Sequence, residues 1–294
     1  MPTFLRTQHD GQFVGSAHAR TGRIERWYAL ESEPTVLTLS NDDRYLYVAL
    51  GNIVRRIDLT SWTADLDITL GQDLEFGARE VYTMVTLPNT STSLAVSFFK
   101  TGLSPPYLGT SIFDGSQIRP TVTSGHDGPS YLFGGPNDST LYGGPGAFYT
   151  LALDSSGVTI QQTVDGLLGG DGDSVYAEGL IYDGWGAAVD PSIPSVVMTW
   201  DNLGLIVPLL DLQKVLILGG DPPPGYSTIS TEPVLSLSDA VTGLRLWSLP
   251  LPLQLASNHG PMFRWGTNGV ALRESQTYGG PAPAVFLFRL NLGQ

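Results

Sequence analysis

The amino-acid sequence predicts an all-β fold, and three features of its 294 residues indicate it. Glycine and proline are frequent, at 35 and 21 residues, and they separate short runs in which apolar and polar residues alternate. Aromatic and β-branched residues fill these runs, as is typical of strands. No stretch shows the apolar spacing of an amphipathic helix.

The short apolar runs recur at a regular interval. We predict strands at or near Phe13, Leu46, Leu94, Leu141, Leu180, Val215 and Val270. Seven anchors in 294 residues correspond to about 42 residues each, the length of a four-stranded β-propeller blade. Closing such repeats into a ring removes the sheet edges that an open array would leave exposed. The sequence therefore predicts a single closed β-propeller domain over residues 1–294, most simply of seven blades, completed by its N- and C-terminal segments.

Blade boundaries and turns follow from the same pattern. The predicted blades span about 1–32, 33–72, 80–123, 127–165, 168–200, 203–252 and 258–294. Five aspartates follow the strand after an anchor: Asp58, Asp114, Asp154, Asp190 and Asp239. An aspartate at such a point accepts a hydrogen bond from the backbone two residues on and starts a turn. We interpret these five side chains as structural and not catalytic.

One unit resembles a known repeat. Residues 40–50, SNDDRYLYVAL, followed by residues 54–59, VRRIDL, resemble the YVTN-type repeat, in which a Ser-Asp-Gly-like turn precedes a Leu-Tyr-Val strand. The stretches GLIYDGWGAAVDP, DAVTGLRLW and RWGTNGVALRE are similar to blades of bacterial YncE-like propellers of that group. The resemblance implies a seven-bladed propeller that works as a binding or surface protein outside the cytoplasm.

Composition excludes several classes of function. With 28 acidic and 15 basic residues the net charge is −13, which argues against nucleic-acid binding. The chain has no cysteine, and so disulfides, thiolate zinc sites and cysteine nucleophiles are excluded. No run approaches the roughly 20 apolar residues of a membrane-spanning helix, and the first residues lack the apolar core of a signal peptide. The chain is either cytoplasmic or exported by a signal outside these residues, and we expect a monomer.

Three long connections between predicted second and third strands share one composition. Residues 100–107, 220–226 and 275–283 each place a tyrosine among prolines and glycines: Tyr107, Tyr226 and Tyr278. In a propeller these connections project from one face. Proline limits the entropy lost on ordering, and tyrosine offers a large contact area with a polar tip. This rim could bind a protein, a peptide or a glycan; alternatively, each tyrosine covers its own blade.

A second set of residues falls near the starts of predicted innermost strands: Glu33, Glu80, His126, Glu178 and His259. Carboxylates and imidazoles at a channel mouth could bind a partner, hold a metal ion or perform acid–base chemistry. No tight ligand spacing is present, and bonding of the histidines to loop backbone is the favoured interpretation. Asp171 and Asp173, within DGLLGGDGD, could share a calcium ion through oxygen ligands or simply form a turn between blades.

Two functions remain open from the sequence. The first is a non-catalytic binding or scaffolding propeller without a cofactor, because no catalytic set is assembled and the long loops gather on one face. The second is a metal-assisted lactonase- or lyase-type enzyme at the channel mouth, which the resemblance to other propellers implies.

Overall fold

A computed structural model describes residues 3–7, 12–18, 21, 23–100, 102–104, 106–123, 125, 128–169, 174–220, 233–251, 259–266, 269–274 and 285–290. In these ranges regular structure is almost entirely β, and the sole helical element is one 3-10 turn, Leu210–Leu212. The predicted all-β class is confirmed. Among the residues described, no helix is long and apolar enough to cross a membrane.

The described residues group into two compact units. The N-terminal unit holds Phe4–Ala17 and Ile24–Leu168, and the C-terminal unit holds Gly169–Gln294 with the segments Met1–Thr3 and His18–Arg23. The strands of each sheet pair in chain order. The pairs are antiparallel in the sheets of both units, from β2–β3 in the first sheet to β27–β28 in the last. Antiparallel neighbours can be joined by a turn of two residues, as β5 and β6 are at Gly51 and Asn52.

The N-terminal unit contains five sheets. Their strands are β1 Thr3–Thr7, β2 Gln12–Ala17 and β3 Ile24–Leu30; β4 Leu37–Leu39, β5 Tyr45–Leu50, β6 Ile53–Asp58 and β7 Thr63–Thr69; the small pair β8 Gln72–Asp73 and β9 Gly77–Ala78; β10 Glu80–Thr86, β11 Ser93–Phe99, β12 Tyr107–Asp114 and β13 Gln117–Ile118; and β14 Tyr131–Asn137, β15 Thr140–Gly144, β16 Ala147–Asp154 and β17 Gly157–Asp165. The β8–β9 pair has no counterpart among the predicted elements.

The C-terminal unit contains three described sheets. Their strands are β18 Val175–Ala177, β19 Leu180–Asp183, β20 Ala187–Asp190 and β21 Ser195–Thr199; β22 Leu203–Leu209, β23 Lys214–Gly220, β24 Val234–Asp239 and β25 Arg245–Pro250; and β26 His259–Trp265, β27 Gly269–Glu274 and β28 Val285–Arg289. All seven sequence anchors fall in the second strand of a separate sheet: β2, β5, β11, β15, β19, β23 and β27.

The second strands are the most apolar because they are covered on both faces. Every residue of β5 is buried, with Tyr47 and Val48 fully so. Alternate residues of β5 pack against different neighbours: Tyr45, Tyr47 and Ala49 join a core cluster with β11, while Leu46, Val48 and Leu50 join one with β2 and β3. In the C-terminal unit β23 is shared in the same way between clusters with β19 and with β27. A strand buried on both faces reads as a continuous apolar run, which is why these strands were visible in the sequence.

The predicted hydrogen bond from the aspartate side chain to the turn backbone is confirmed for four of the five aspartates. Oδ1 accepts the backbone N–H two residues on, at 2.7 Å for Asp58, 2.7 Å for Asp154, 2.8 Å for Asp190 and 3.0 Å for Asp239. Asp114 also precedes a turn, at residues 115–116, but the predicted hydrogen bond was wrong there because its side chain takes other partners. Its carboxylate accepts two hydrogen bonds from the Arg119 guanidinium and one from the Ser93 hydroxyl. A nearby guanidinium offers two charge-assisted bonds, which are stronger than one turn N–H.

Five outer strands carry a β-bulge. At these positions the register skips one exposed residue: Glu25 in β3, Asp65 in β7, Gln161 in β17, Val197 in β21 and Leu246 in β25. A bulge increases twist and interrupts the row of backbone groups that an edge strand presents.

Candidate functional site

One end of the sheet β10–β13 places Glu80, a predicted site residue, beside aromatic residues. Glu80 lies opposite Phe99 in the strand register, and Phe99 lies opposite Tyr107. This is the end where β10 begins and where the connection between β11 and β12 turns back. It is the end at which the sequence predicts a tyrosine-bearing rim.

Four half-buried rings form a contiguous cluster at this end: Tyr82, Phe99, Tyr107 and Tyr131. We call it the aromatic cluster. Tyr82 is at its centre, with ring centroids 5.4 Å from Phe99, 5.7 Å from Tyr107 and 5.0 Å from Tyr131. All three contacts are edge-to-face, the geometry that the ring quadrupoles favour.

A β-bulge and one hydroxyl place Tyr82 beside Tyr131. The register of β10 shifts between Val81 and Thr83, and a bulge at this point re-aims the intervening side chain. The Thr83 hydroxyl then donates to the Ser130 carbonyl, 2.9 Å, and accepts the Leu132 N–H, 3.1 Å, joining β10 to β14. As a result the Tyr82 hydroxyl donates to that of Tyr131 at 3.3 Å.

The connection that leads into Tyr107 is held at its base. The Lys100 N–H donates to the Pro106 carbonyl, 2.8 Å, which closes the loop directly before Tyr107. The Lys100 ammonium lies 3.9 Å from the Glu80 carboxylate and donates to the Ala78 carbonyl at 3.4 Å. Glu80 is thus placed near the aromatic cluster, where its charge is balanced by Lys100. A partly exposed pair at this distance contributes little stability.

Glu33, the other predicted site residue that the structure describes in the N-terminal unit, is not part of this arrangement. Glu33 is exposed in the link between β3 and β4. Tyr107 and Glu80 are therefore the predicted residues that the described structure brings together.

In the C-terminal unit, Glu178 is placed differently from the prediction. It follows β18 in the turn to β19, exposed and with φ of +45°, and does not precede the innermost strand. The sequence placed Glu178 before the innermost strand, whereas it follows that strand. The strand, β18, is only three residues long and was therefore hard to recognise in the sequence. His259 is the first residue of β26, opposite Glu274 in the register.

Several predicted residues lie outside the described ranges: Tyr226, Tyr278, His126, Asp171 and Asp173. The rim, channel-mouth and calcium interpretations of these residues stay predictions. Within the described ranges, no three His, Asp or Glu side chains are grouped closely enough to hold a metal ion.

Sequence reasoning found Tyr107 and missed the other three rings. Tyr82, Phe99 and Tyr131 lie within or at the ends of strands, where an aromatic residue is ordinary core material. The signal that could have found these three rings is their position near the ends of predicted strands. Phe99 ends a second strand, Tyr131 begins a first strand, and Tyr82 is near the start of another, so all three gather at one end of the sheets.

Known proteins match this chain through structure and not through sequence. No family model matches the chain, and no curated protein matches it. The WD40 β-propeller domain of Doa1 superposes with a TM-score of 0.54 at 9% identity, over 97% of each chain. The β-propeller domain of Cps50 (Swd1) from Myceliophteria thermophila gives a TM-score of 0.58 at 12% identity, over 96% of this chain and 93% of that one. The chain therefore has a β-propeller fold.

Proposed function

We propose that the chain is a non-catalytic protein-binding module and that its partner binds at the aromatic cluster. The observation that carries the proposal is the clustering of four half-exposed rings at the end of the N-terminal unit where the loop of Tyr107 projects. Tyrosine supplies a large, rigid contact area and a hydroxyl for hydrogen bonding, and it is enriched at interfaces. A propeller fold is compatible with this role but does not determine it.

The shape of the site also supports binding by a protein. Rings from β10, β11, β12 and β14 contribute, so the surface extends over two neighbouring sheets. Edge-to-face packing and the Thr83 bridge hold these rings before a partner arrives. A pre-organised surface loses little side-chain entropy on binding.

The test is a comparison of dissociation constants for a partner that is isolated with the natural chain and then purified. Tyr107→Ala is expected to weaken binding by about tenfold or more, as for a contact residue at the centre of an interface. Trp27→Ala is the matched control, since it removes a 63% exposed aromatic side chain from β3. Tyr107→Phe separates the contribution of the ring from that of the hydroxyl. Binding by Tyr107→Ala within about twofold of the natural chain would contradict the proposal.

We also propose that seven of the sheets are blades of a single closed ring, of the YVTN type that residues 40–59 resemble. The regular spacing of the seven second strands supports this. Because the chain has no cysteine, two double variants can each carry two unique spin labels: Glu25→Cys with Arg289→Cys, and Glu25→Cys with Thr63→Cys. Closure predicts a distance between spin labels at 25 and 289 comparable to that between labels at 25 and 63, on outer strands of successive sheets. A much longer distance would show an open array.

A further inference from the structure

The β8–β9 pair forms a hairpin that separates the sheet ending in β7 from the sheet beginning with β10. Its tip is Leu74, whose side chain is fully exposed, at 107% of the reference area. A single exposed leucine is common on protein surfaces and carries no meaning alone. The surroundings of Leu74 distinguish it, because both the turn and the base of the hairpin are fixed.

The turn is fixed by one carboxylate. Asp73 Oδ1 accepts the N–H of Glu75 at 2.9 Å and that of Phe76 at 3.1 Å, and Gly77 closes the turn with φ of +81°. These bonds fix the backbone on both sides of Leu74, whose side chain is exposed. The leucine therefore reaches a partner without an ordering cost for its backbone.

The base is fixed by one hydrogen bond across the hairpin and by three contacts with the rest of the N-terminal unit. Phe76 packs against the core cluster that contains Phe98. The Arg79 guanidinium lies 5.1 Å from the Phe98 ring centroid, and the Arg79 N–H donates to the Gly71 carbonyl at 3.4 Å. The Lys100 ammonium donates to the Ala78 carbonyl, which ties the hairpin to the loop that leads into Tyr107. Hairpin and aromatic cluster thus belong to one end of the N-terminal unit.

The charges beside the tip specify what it fits. Asp73 and Glu75 flank Leu74, and the backbone N–H groups of Glu75 and Phe76 hold the pKa of Asp73 below its usual range. Asp73 is therefore anionic at neutral pH, and the whole chain carries a net charge of −13. An apolar tip between carboxylates is complementary to an apolar pocket with lysine or arginine on its rim.

We propose that Leu74 is an anchor that inserts into an apolar, basic-rimmed pocket of a folded partner protein. This inference rests on the proposed function, since it names the partner surface that meets the same end of the unit. The hairpin supplies a protruding contact, and the aromatic cluster supplies a second contact surface at the same end of the unit. Docking of one hairpin tip in a pocket concentrates binding energy in a single residue.

A photo-crosslinking amino acid at position 74, introduced in native cells, tests the inference. The matched control is the same group at Ile193, an apolar position of the C-terminal unit that is 65% exposed. We expect an adduct with one protein from position 74 and none with that protein from position 193. Failure to form an adduct above the control would overturn the inference.

The captured protein is then purified and titrated against variants. Leu74→Ala is expected to weaken binding by about tenfold or more, and Leu74→Met to retain most of it. Glu75→Gln is expected to reduce the salt dependence of the dissociation constant, because it removes one charge facing the basic rim. Binding by Leu74→Ala within about twofold of the natural chain would overturn the inference.

The two proposals fail in different ways. If Tyr107→Ala weakens binding and Leu74→Ala does not, the aromatic cluster stands as the site and the hairpin anchor is wrong. If Leu74→Ala weakens binding and Tyr107→Ala does not, the aromatic cluster is wrong as the main site.

Discussion

At the scale of single residues, the turn aspartates both accept the hydrogen bonds of a turn and carry a charge that depends on pH. The Ser156 hydroxyl and N–H bond Asp154, and those of Ser192 bond Asp190; both sets hold the carboxylate pKa below its usual range. A carboxyl with a lowered pKa in the folded state stabilises the fold above its unfolded pKa of about 3.9. That contribution is lost as the pH falls through the folded pKa.

Acid denaturation tests this account of the aspartates. Asp154→Asn and Asp190→Asn keep an oxygen acceptor for the turn but cannot titrate. Each variant is expected to lose less stability than the natural chain between about pH 6 and about pH 2.5, in urea unfolding monitored by tryptophan fluorescence. Asp201→Asn, in the exposed link between β21 and β22, is the control. Equal acid sensitivity in the natural chain and both variants would contradict the prediction.

At the scale of elements, side-chain hydroxyls hold neighbouring sheets together. Thr83→Val removes the bridge between β10 and β14 and leaves the Leu132 N–H and the Ser130 carbonyl without that partner. The free energy of unfolding is expected to fall by about 1–3 kcal/mol, measured by urea denaturation. Thr110→Val is a matched control, because the Thr110 hydroxyl is buried and has no hydrogen-bond partner among the described residues. A loss for Thr110→Val as large as for Thr83→Val would contradict this explanation.

A second prediction at the scale of elements concerns the outer strands that carry a bulge. Val197 is 46% exposed at the bulge of β21, whereas Val189 in the adjacent β20 is fully buried. Val197→Lys is expected to change the free energy of unfolding by less than about 0.5 kcal/mol. Val189→Lys buries an unpaired charge and is expected to cost about 3 kcal/mol or more. Thermal and urea unfolding measure both variants. If Val197→Lys and Val189→Lys lower the free energy of unfolding by comparable amounts, β21 is covered and is not an outer edge.

Elements with a strong physical signature could be predicted from the sequence, and those without one could not. The second strands, buried on both faces, stood out as apolar runs such as Tyr45–Leu50. The β8–β9 hairpin was missed because its strands are two residues each and have no periodicity. Tyr107 was found through its proline-rich loop, but contact with Tyr82 and Tyr131 depends on the bulge and on the pairing of sheets. Neither leaves a pattern in the local sequence.

At the scale of the whole molecule, the two ends of the sheets differ in a way that separates structure from function. In the N-terminal unit the end with Asp58 and Asp154 is closed by short, hydrogen-bonded turns. The other end carries the aromatic cluster, the loop before Tyr107 and the β8–β9 hairpin. Short turns stabilise a scaffold, whereas long loops on a rigid scaffold are where binding residues concentrate.

Hydrogen–deuterium exchange of the chain with and without its purified partner tests the central claim most directly, because it shows which end is covered. The account predicts slower exchange on binding at residues 72–82 and 99–107, with no change at the turns 58–62 and 154–157. Protection confined to those turns, with unchanged exchange around Leu74 and Tyr107, would contradict it.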